Sequence, residues 1–304
     1  MQANGHRKYK KRYSLRQKTR IATNLSLIPT LLILTATFVI PFIYSFYISL
    51  RDYNPLEHTN KFVLFDNYVK IFSDVSFLQA IGRNVIYVVL VVSVNFVLGL
   101  VMALVINTRF KGSNFLSGIL ILPMILMPAA AAVLWRFIYD QTFGIVNHVL
   151  ELFGIASRSW LASGSTALYA VILTDIWAWT PWMFLVLLAG LKSLPIESIE
   201  AARIDGASEW SLFRYITLPL MMPAILIALT LKTIDTFKAF DYLWIMTGGG
   251  PGKASHIIST YIYKTAFQLL DFGYSASMAV VSLLILMVFS LIYMFFIRKQ
   301  EAMR

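Results

Sequence analysis

Residues 191–223 read L-K-S-L-P-I-E-S-I-E-A-A-R-I-D-G-A-S-E-W-S-L-F-R-Y-I-T-L-P-L-M-M-P. Pro195 suits the first turn of a helix, where its missing N–H costs nothing. Glu197 and Glu200 then sit near the positive end of that helix. Gly206 is placed as its stop, because glycine adopts the left-handed conformation without strain. A second short helix, from about Ser208, puts Trp210, Phe213 and Ile216 on one face, and Leu218-Pro219 turns the chain back. Small side chains (Ala201, Ala202, Ala207) allow close approach of another surface, and an apolar patch beside charges suits a protein contact. An amphipathic hairpin lying on a membrane interface fits the same residues.

The residues outside this hairpin decide its setting. The chain has 304 residues, 58% hydrophobic and 13% charged, with a mean hydropathy of +0.70. Soluble domains average about 45–50% apolar and about 25% charged residues, so this much apolar surface exceeds what one water-soluble domain buries. Apolar segments fall at about 24–50, 82–107, 116–139, 166–190, 217–246 and 275–297, each near the roughly 20 residues that cross a bilayer. The composition and the six segments together indicate an all-α, polytopic membrane protein with six transmembrane helices. The chain has no cysteine, which excludes a disulfide framework and a thiol-ligated metal. His6, His58, His148 and His256 show no ligand spacing, so no metal site is expected.

Lysine and arginine set the orientation. The tail carries Arg7, Lys8, Lys10, Lys11, Arg12, Arg16, Lys18 and Arg20. With an even number of spans, Arg109, Lys111, Lys192, Arg203, Arg214, Arg298, Lys299 and Arg304 fall on the same side, so both termini are expected in the cytoplasm. The hairpin is then cytoplasmic. A nucleic-acid role for the tail competes poorly with a topology signal near anionic headgroups, and no nucleic-acid partner is expected. The first span is too long for a cleavable signal and lacks a processing site. The expected division is a basic cytoplasmic tail (1–22), a first span (23–50), an extracytoplasmic segment (51–81), a five-helix core (82–297) with the hairpin at 195–216, and a cytoplasmic end (298–304).

Within this frame the hairpin resembles a known motif. E-A-A-x-x-D-G-A followed by F-x-x-I-x-L-P-x-x-x-P is similar to the EAA motif of membrane subunits in binding-protein-dependent ABC importers. Its positions are Glu200, Ala201, Ala202, Asp205, Gly206, Ala207, Phe213, Ile216, Leu218, Pro219 and Pro223. I-L-P at 121–123, D-Q-T-F-G at 140–144, and T-G-G-G-P with Y-x-Y-K-x-A-F and D-F-G-Y-S-A at 247–276 resemble the carbohydrate branch, of the maltose or glycerol-3-phosphate type. The matching member there is the first subunit of an unlike pair. The resemblance covers spans two to six. It implies a type I importer transmembrane domain that pairs with a second permease subunit. It also implies two cytoplasmic ATPase subunits, on one of which the hairpin docks through Glu200, Ala201, Ala202, Asp205, Gly206 and Ala207. Substrate would come from an extracellular solute-binding protein. ATP and magnesium would belong to the ATPases, leaving this chain without cofactor or catalytic residues. The cell membrane, bacterial or archaeal, is the implied location.

Ionisable residues inside spans are costly and usually face a bundle interior or a water-filled path. Asp175, Trp179 and Trp182 are spaced i, i+4, i+7 and share a helix face. A carboxylate beside tryptophans suits the hydroxyls and ring of a polyol. Asp235, Thr236 and Ala239 lie within one turn, and Lys232 reaches Asp235 at i+3. The alternatives are an interfacial belt for Trp177, Trp179 and Trp182, a packed internal pair for Lys232 and Asp235, and a snorkelling Lys238. The resemblance implies that substrate-contacting positions fall on Asp175, Trp179, Trp182, Asp235, Thr236 and Ala239, and on Met124 and Pro128. Two acids on the path disfavour an anion such as glycerol-3-phosphate.

Two other classes fit less well. An ion-coupled secondary transporter would use Asp175 and Asp235, yet it leaves the hairpin unexplained, and no inverted repeat is visible. A membrane enzyme lacks a nucleophile–base or metal constellation. T-G-G-G-P-G-K-A-S at 247–255 superficially resembles a phosphate loop. Thr247 stands where G-x-x-x-x-G-K-[ST] needs glycine, and Ala254 where it needs a hydroxyl. On the outer side, it is expected to form a tight turn.

Overall fold

The computed structural model describes residues 27–108 and 110–301. The tail expected at 1–22 and Arg109 lie outside the described residues. The first helix, α1 (Leu27–Ser49), is followed by a two-stranded hairpin, β1 (Arg51–Asn54) and β2 (Thr59–Phe62), and by α2 (Asp66–Ser73). Next come α3 (Val75–Asn107), α4 (Ser113–Ile125), α5 (Pro128–Ile138), α6 (Ile145–Leu152) and α7 (Ala167–Lys192). The rest comprises α8 (Ile196–Ile204), α9 (Glu209–Leu212), α10 (Leu218–Phe237), α11 (Asp241–Thr247), α12 (Ile258–Tyr263) and α13 (Phe272–Glu301). Among the described residues, five helical stretches are long and apolar enough to cross a membrane, and six if α4 and α5 form one bent span.

Four details differ from the sequence reading. The expected third span, 116–139, is broken into α4 and α5, which meet at 94°. Pro128 begins α5 and forces the preceding Met127 into an extended conformation, ψ 134°, as proline does to its predecessor. Among the described residues the regular structure is helical but for the β1–β2 hairpin, which lies so close to α13 that a Cβ on Gly273 would sit 2.0 Å from the Arg51 carbonyl oxygen. The helix of the second span starts at Val75, ahead of the apolar run. Asp74 caps it by accepting from the Ser76 and Phe77 N–H groups at 2.9 and 3.1 Å. Leu218-Pro219 does not turn the chain, because a π turn at Phe213–Thr217 carries α9 straight into α10. A second π turn, Thr35–Val39, precedes Pro41 in α1. In both places the proline has no N–H to return to the carbonyl four residues back, so the ladder shifts there.

The middle of the molecule is α3 against α7. Most of α7 is buried, including Val171, Asp175, Met183, Phe184 and Leu187. Gly99 of α3 permits the close approach, since a Cβ there would lie 2.8 Å from Met183 Cγ and 2.9 Å from the Phe184 nitrogen. One apolar cluster joins Tyr87, Ala131, Tyr139, Val171 and Leu243. A second, further along α7, joins Ala103, Phe184, Leu187, Met221 and Ala228. By contrast α1 and α13 expose their apolar faces: Leu32 is 65% and Phe295 64% exposed, the surface that lipid covers in a spanning helix.

The loops at the end of the bundle remote from α8 are firmly built. Asp140 accepts from the N–H groups of Thr142 and Phe143, at 2.8 and 3.0 Å, and these bonds hold its carboxyl below the usual range. Gly144 closes that D-Q-T-F-G turn, where a Cβ would lie 2.2 Å from the Asp140 carbonyl oxygen. Buried Asn147 donates to the Arg158 carbonyl and accepts from the Arg158 N–H and Trp160 Nε1. Asp74 also accepts from the hydroxyls of Tyr261 and Tyr274, at 3.0 and 2.8 Å, tying α3 to α12 and α13. Burial alone would raise the Asp74 carboxyl, but these four bonds outweigh it and hold it low.

Candidate functional site

Two interruptions of helical backbone converge in the bundle. One is the α4–α5 break; the other is the stretch 238–240 between α10 and α11. Non-helical backbone at membrane depth is tolerated where it is buried in protein or lines a water-filled space. A cavity of about 250 Å³ lies there, lined by Pro128, Asp175, Trp179, Asp235, Thr236, Lys238, Ala239, Phe240, Asp241 and Tyr242.

Asp175, on α7, is 3% exposed and has both carboxylate oxygens engaged. The Tyr87 hydroxyl donates to Oδ2 at 2.6 Å, and Lys232 Nζ lies 3.2 Å from Oδ1. Lys232 is itself buried, 3.9 Å from Asp235 Oδ2 and 4.9 Å from the centroid of the Trp179 ring. Its closer partner is thus Asp175 across the helix interface; the Asp235 at i+3 is the longer contact. This division leaves Asp235, whose side chain is 56% exposed, as a carboxylate able to meet a ligand. Next to it, the buried hydroxyl of Thr236 has no hydrogen-bond partner among the described residues. That oxygen is itself closed off from solvent, so it is an unsatisfied buried hydroxyl in the cavity wall.

Six of the anticipated path residues therefore come together: Pro128, Asp175, Trp179, Asp235, Thr236 and Ala239. Met124 lies on α4, beyond the break, and does not line the cavity. Trp182 also stays outside and packs with Leu185 and Val186 against the second apolar cluster. Seven residues separate it from Asp175, about 10 Å along a helix, so a shared face did not bring it to the same depth. The sequence reading missed Tyr87, Phe240, Asp241 and Tyr242. Tyr87 stands in α3 with buried Asn84 and Asn95, and polar residues in an apolar span are the signal that marks such a helix as facing the interior.

About 25 Å further along α7 the chain enters the 191–223 hairpin. Helix α8 ends as expected: Gly206 has φ +80°. Its N–H donates to the Arg203 carbonyl at 3.1 Å, and the Ala207 N–H to the Ala202 carbonyl at 3.0 Å. That pair of bonds is a Schellman motif. Ser208 caps α9 by accepting from the Ser211 N–H at 3.2 Å. Glu200, Ala201, Asp205 and Gly206 are exposed, Ala207 half-buried and Ala202 buried. The Trp210 and Phe213 rings pack 5.8 Å apart, and Ile204 and Trp210 stand 86% and 67% exposed. The hairpin's turn is fixed by these backbone and cap bonds, and it bears an exposed apolar patch.

The T-G-G-G-P-G loop is a compact turn. Gly248, Gly249 and Gly252 have positive φ, and the Gly250–Pro251 bond is cis. It follows α11 and has neither the preceding strand nor the following helix of a phosphate loop. Its underside rests on buried His256, whose ring would lie 2.1 Å from a Cβ at Gly249.

Residues 95–302 match the family described as binding-protein-dependent transport system inner membrane component. The chain is 33% identical over 270 residues to the trehalose/maltose transport system permease protein MalF of Thermococcus litoralis, covering 89% of this chain and 91% of that one. It is 32% identical over 287 residues to the sulfoquinovosyl glycerol transport system permease protein SmoG of Agrobacterium fabrum, covering 93% and 92%. Its fold is similar to a chain in the crystal structure of a bacterial ABC transporter involved in the import of the acidic polysaccharide alginate. The TM-score is 0.82 at 22% identity, covering 93% of this chain and 96% of that chain.

Proposed function

From the premise that the chain belongs to the family of binding-protein-dependent transport system inner membrane components, we propose that it is the permease subunit of an ATP-driven sugar importer. A second, similar permease subunit completes the translocation path, and two cytoplasmic ABC ATPases drive it with their own ATP and magnesium. An extracellular binding protein delivers the sugar. The chain lies in the cell membrane with both termini in the cytoplasm, and it catalyses no reaction itself. The relatives' named substrates, trehalose or maltose and sulfoquinovosyl glycerol, support a carbohydrate.

The observation that carries the reading is the cavity at the two helix breaks. There the exposed Asp235 carboxylate offers hydrogen-bond acceptors next to the Trp179 and Phe240 rings. That is the chemistry of a hydroxyl-rich ring with apolar C–H faces. Lys232 is held by Asp175, and of the other charged residues on the wall Asp235 and Asp241 outnumber Lys238, so a neutral sugar fits better than a polyol phosphate. Coupling follows from rigidity. A hairpin clamped by the Schellman motif moves as a body when the ATPases close on it, and α8 and α9 transmit that motion directly to α7 and α10. The test is to purify the assembled complex with its binding protein and measure which sugars stimulate ATP hydrolysis. Stimulation by a neutral sugar is expected; a complex that answers to no sugar overturns the reading.

A further inference from the structure

The outer end of the cavity leads onto a series of aromatic rings. Phe240 lines the cavity and stacks on Trp244, with centroids 5.8 Å apart and planes 13° from parallel. Tyr263 packs on both, 5.0 Å from Phe240 and 4.5 Å from Trp244. The series continues to Phe267 at 5.0 Å, Phe272 at 6.3 Å and Tyr53 of β1 at 5.8 Å. These rings come from four places in the chain: α11 and the residue before it, α12 with the turn after it, α13, and the hairpin. Phe267 is 62% exposed, and the others are half-buried.

An aromatic belt would also place rings near a bilayer surface. A belt faces lipid, however, whereas this series begins on a residue of the cavity wall. Aromatic faces offer broad apolar surface with little directional demand. A chain of sugar units could therefore pass from ring to ring without breaking a full set of hydrogen bonds at each step. The cavity, at about 250 Å³, falls below the usual range of ligand pockets, roughly 300–1,000 Å³. A ligand of several sugar units must extend beyond it, and the rings lie where it would emerge.

We propose that Phe240, Tyr263 and Phe267 form an elongated binding surface for a linear oligosaccharide, continuous with the cavity and leading into it from the outer end of the bundle. The proposal rests on the sugar-importer reading and adds substrate length to it: units seated on the rings gain affinity that a single ring in the cavity does not.

The test uses the full complex with its binding protein in proteoliposomes, carrying the wild-type chain, Phe267→Ala, Phe267→Tyr or Asp235→Asn. The probes are linear neutral glucans, mannans and galactans of one to six units, read by uptake and by stimulated ATP hydrolysis. Loss of one stacking ring is expected to lower uptake of the longest transported members about 3- to 10-fold. One- and two-unit sugars should be unaffected, and Phe267→Tyr should restore the wild-type profile. Phe267 is 62% exposed, and co-purification of all subunits checks that its replacement leaves assembly intact. Equal losses at every length, no loss at any length, or wild-type uptake confined to one- and two-unit sugars would each overturn the proposal. If short sugars are transported and respond to Asp235→Asn while sugars of no length respond to Phe267→Ala, only the ring surface falls. If no sugar stimulates the wild-type complex, the carbohydrate reading falls with it.

Discussion

Lys232 Nζ lies 3.2 Å from Asp175 Oδ1, an ion pair between α10 and α7 whose side chains are 2% and 4% exposed. Tyr87 of α3 completes it through Asp175 Oδ2, so three helices are fastened at one buried point. Removing one partner of such a pair leaves a charge without compensation and costs roughly 3–5 kcal/mol. Lys232→Met should therefore lower the unfolding midpoint of the detergent-purified chain sharply. The double variant Lys232→Met/Asp175→Asn should recover most of that loss, because no uncompensated charge remains. Additive losses in a double-mutant cycle would show that the two residues act independently.

The α3–α7 contact makes a second, purely steric prediction. A Cβ at Gly99 would meet Met183 Cγ at 2.8 Å and the Phe184 backbone nitrogen at 2.9 Å. The side chain could give way, but backbone cannot without moving the helix. Gly99→Val should cost about 1–3 kcal/mol by overpacking, and Gly82→Val, where nothing lies within 4 Å, should cost little. Thermal unfolding of the two variants side by side checks the contrast.

The features that could be read from sequence are those decided by local chemistry. Pro195, Gly206 and Ser208 punctuate the hairpin through their own backbone preferences; the structure places Gly206 as left-handed stop and Ser208 as cap, with Pro195 extended at the cap position one residue ahead of the first turn expected for it. The apolar run at 166–190 gave α7 almost whole because no other element had to intervene. Tertiary features were harder to read. The run 116–139 stays apolar across Leu126 and Met127, so hydropathy hides the break, and only Pro128 hinted at it. The β1–β2 hairpin depends on Gly273, more than two hundred residues away in sequence. Lys232 was read against its helical neighbour Asp235, while its closer partner came from another helix. Helical spacing gives the face a residue shares; it does not give the depth at which a cavity opens, and so Trp182 shares a face with Asp175 without lining the cavity.

The histidine beneath the glycine loop gives a pH prediction. His256 is buried, with Nδ1 3.2 Å from Thr260 Oγ1. Burial, with help from Lys264, Arg83 and Lys253, pushes its pKa from 6.5 down to about 4. Between those values the unfolded chain takes up a proton that the folded chain refuses. The stability linked to His256 is therefore complete above pH 6.5 and is lost as pH falls toward 4. Unfolding midpoints of the purified chain measured from pH 7.5 to 4.5 should fall more steeply for the wild type than for His256→Asn. Parallel profiles would remove the imidazole as the cause.

Gly206 tests the coupling role proposed for the hairpin because its φ of +80° and its steric surroundings make separate demands. A Cβ there would meet nothing within 4 Å, so only the backbone conformation resists substitution. The left-handed region costs most side chains roughly 1–2 kcal/mol, and asparagine least among them. Gly206→Val should loosen the Schellman turn that joins α8 to α9, whereas Gly206→Asn should keep it. If the hairpin is where the ATPases dock, Gly206→Val should lower substrate-stimulated ATP hydrolysis or ATPase co-purification severalfold while the chain still inserts, and Gly206→Asn should stay near wild type. Glu200→Lys, on exposed surface with no backbone role, should produce the same uncoupling by reversing charge alone. Co-purification and coupled ATPase assays in all three variants decide the matter: full activity in Gly206→Val and Glu200→Lys together would place the ATPase contact elsewhere on the chain.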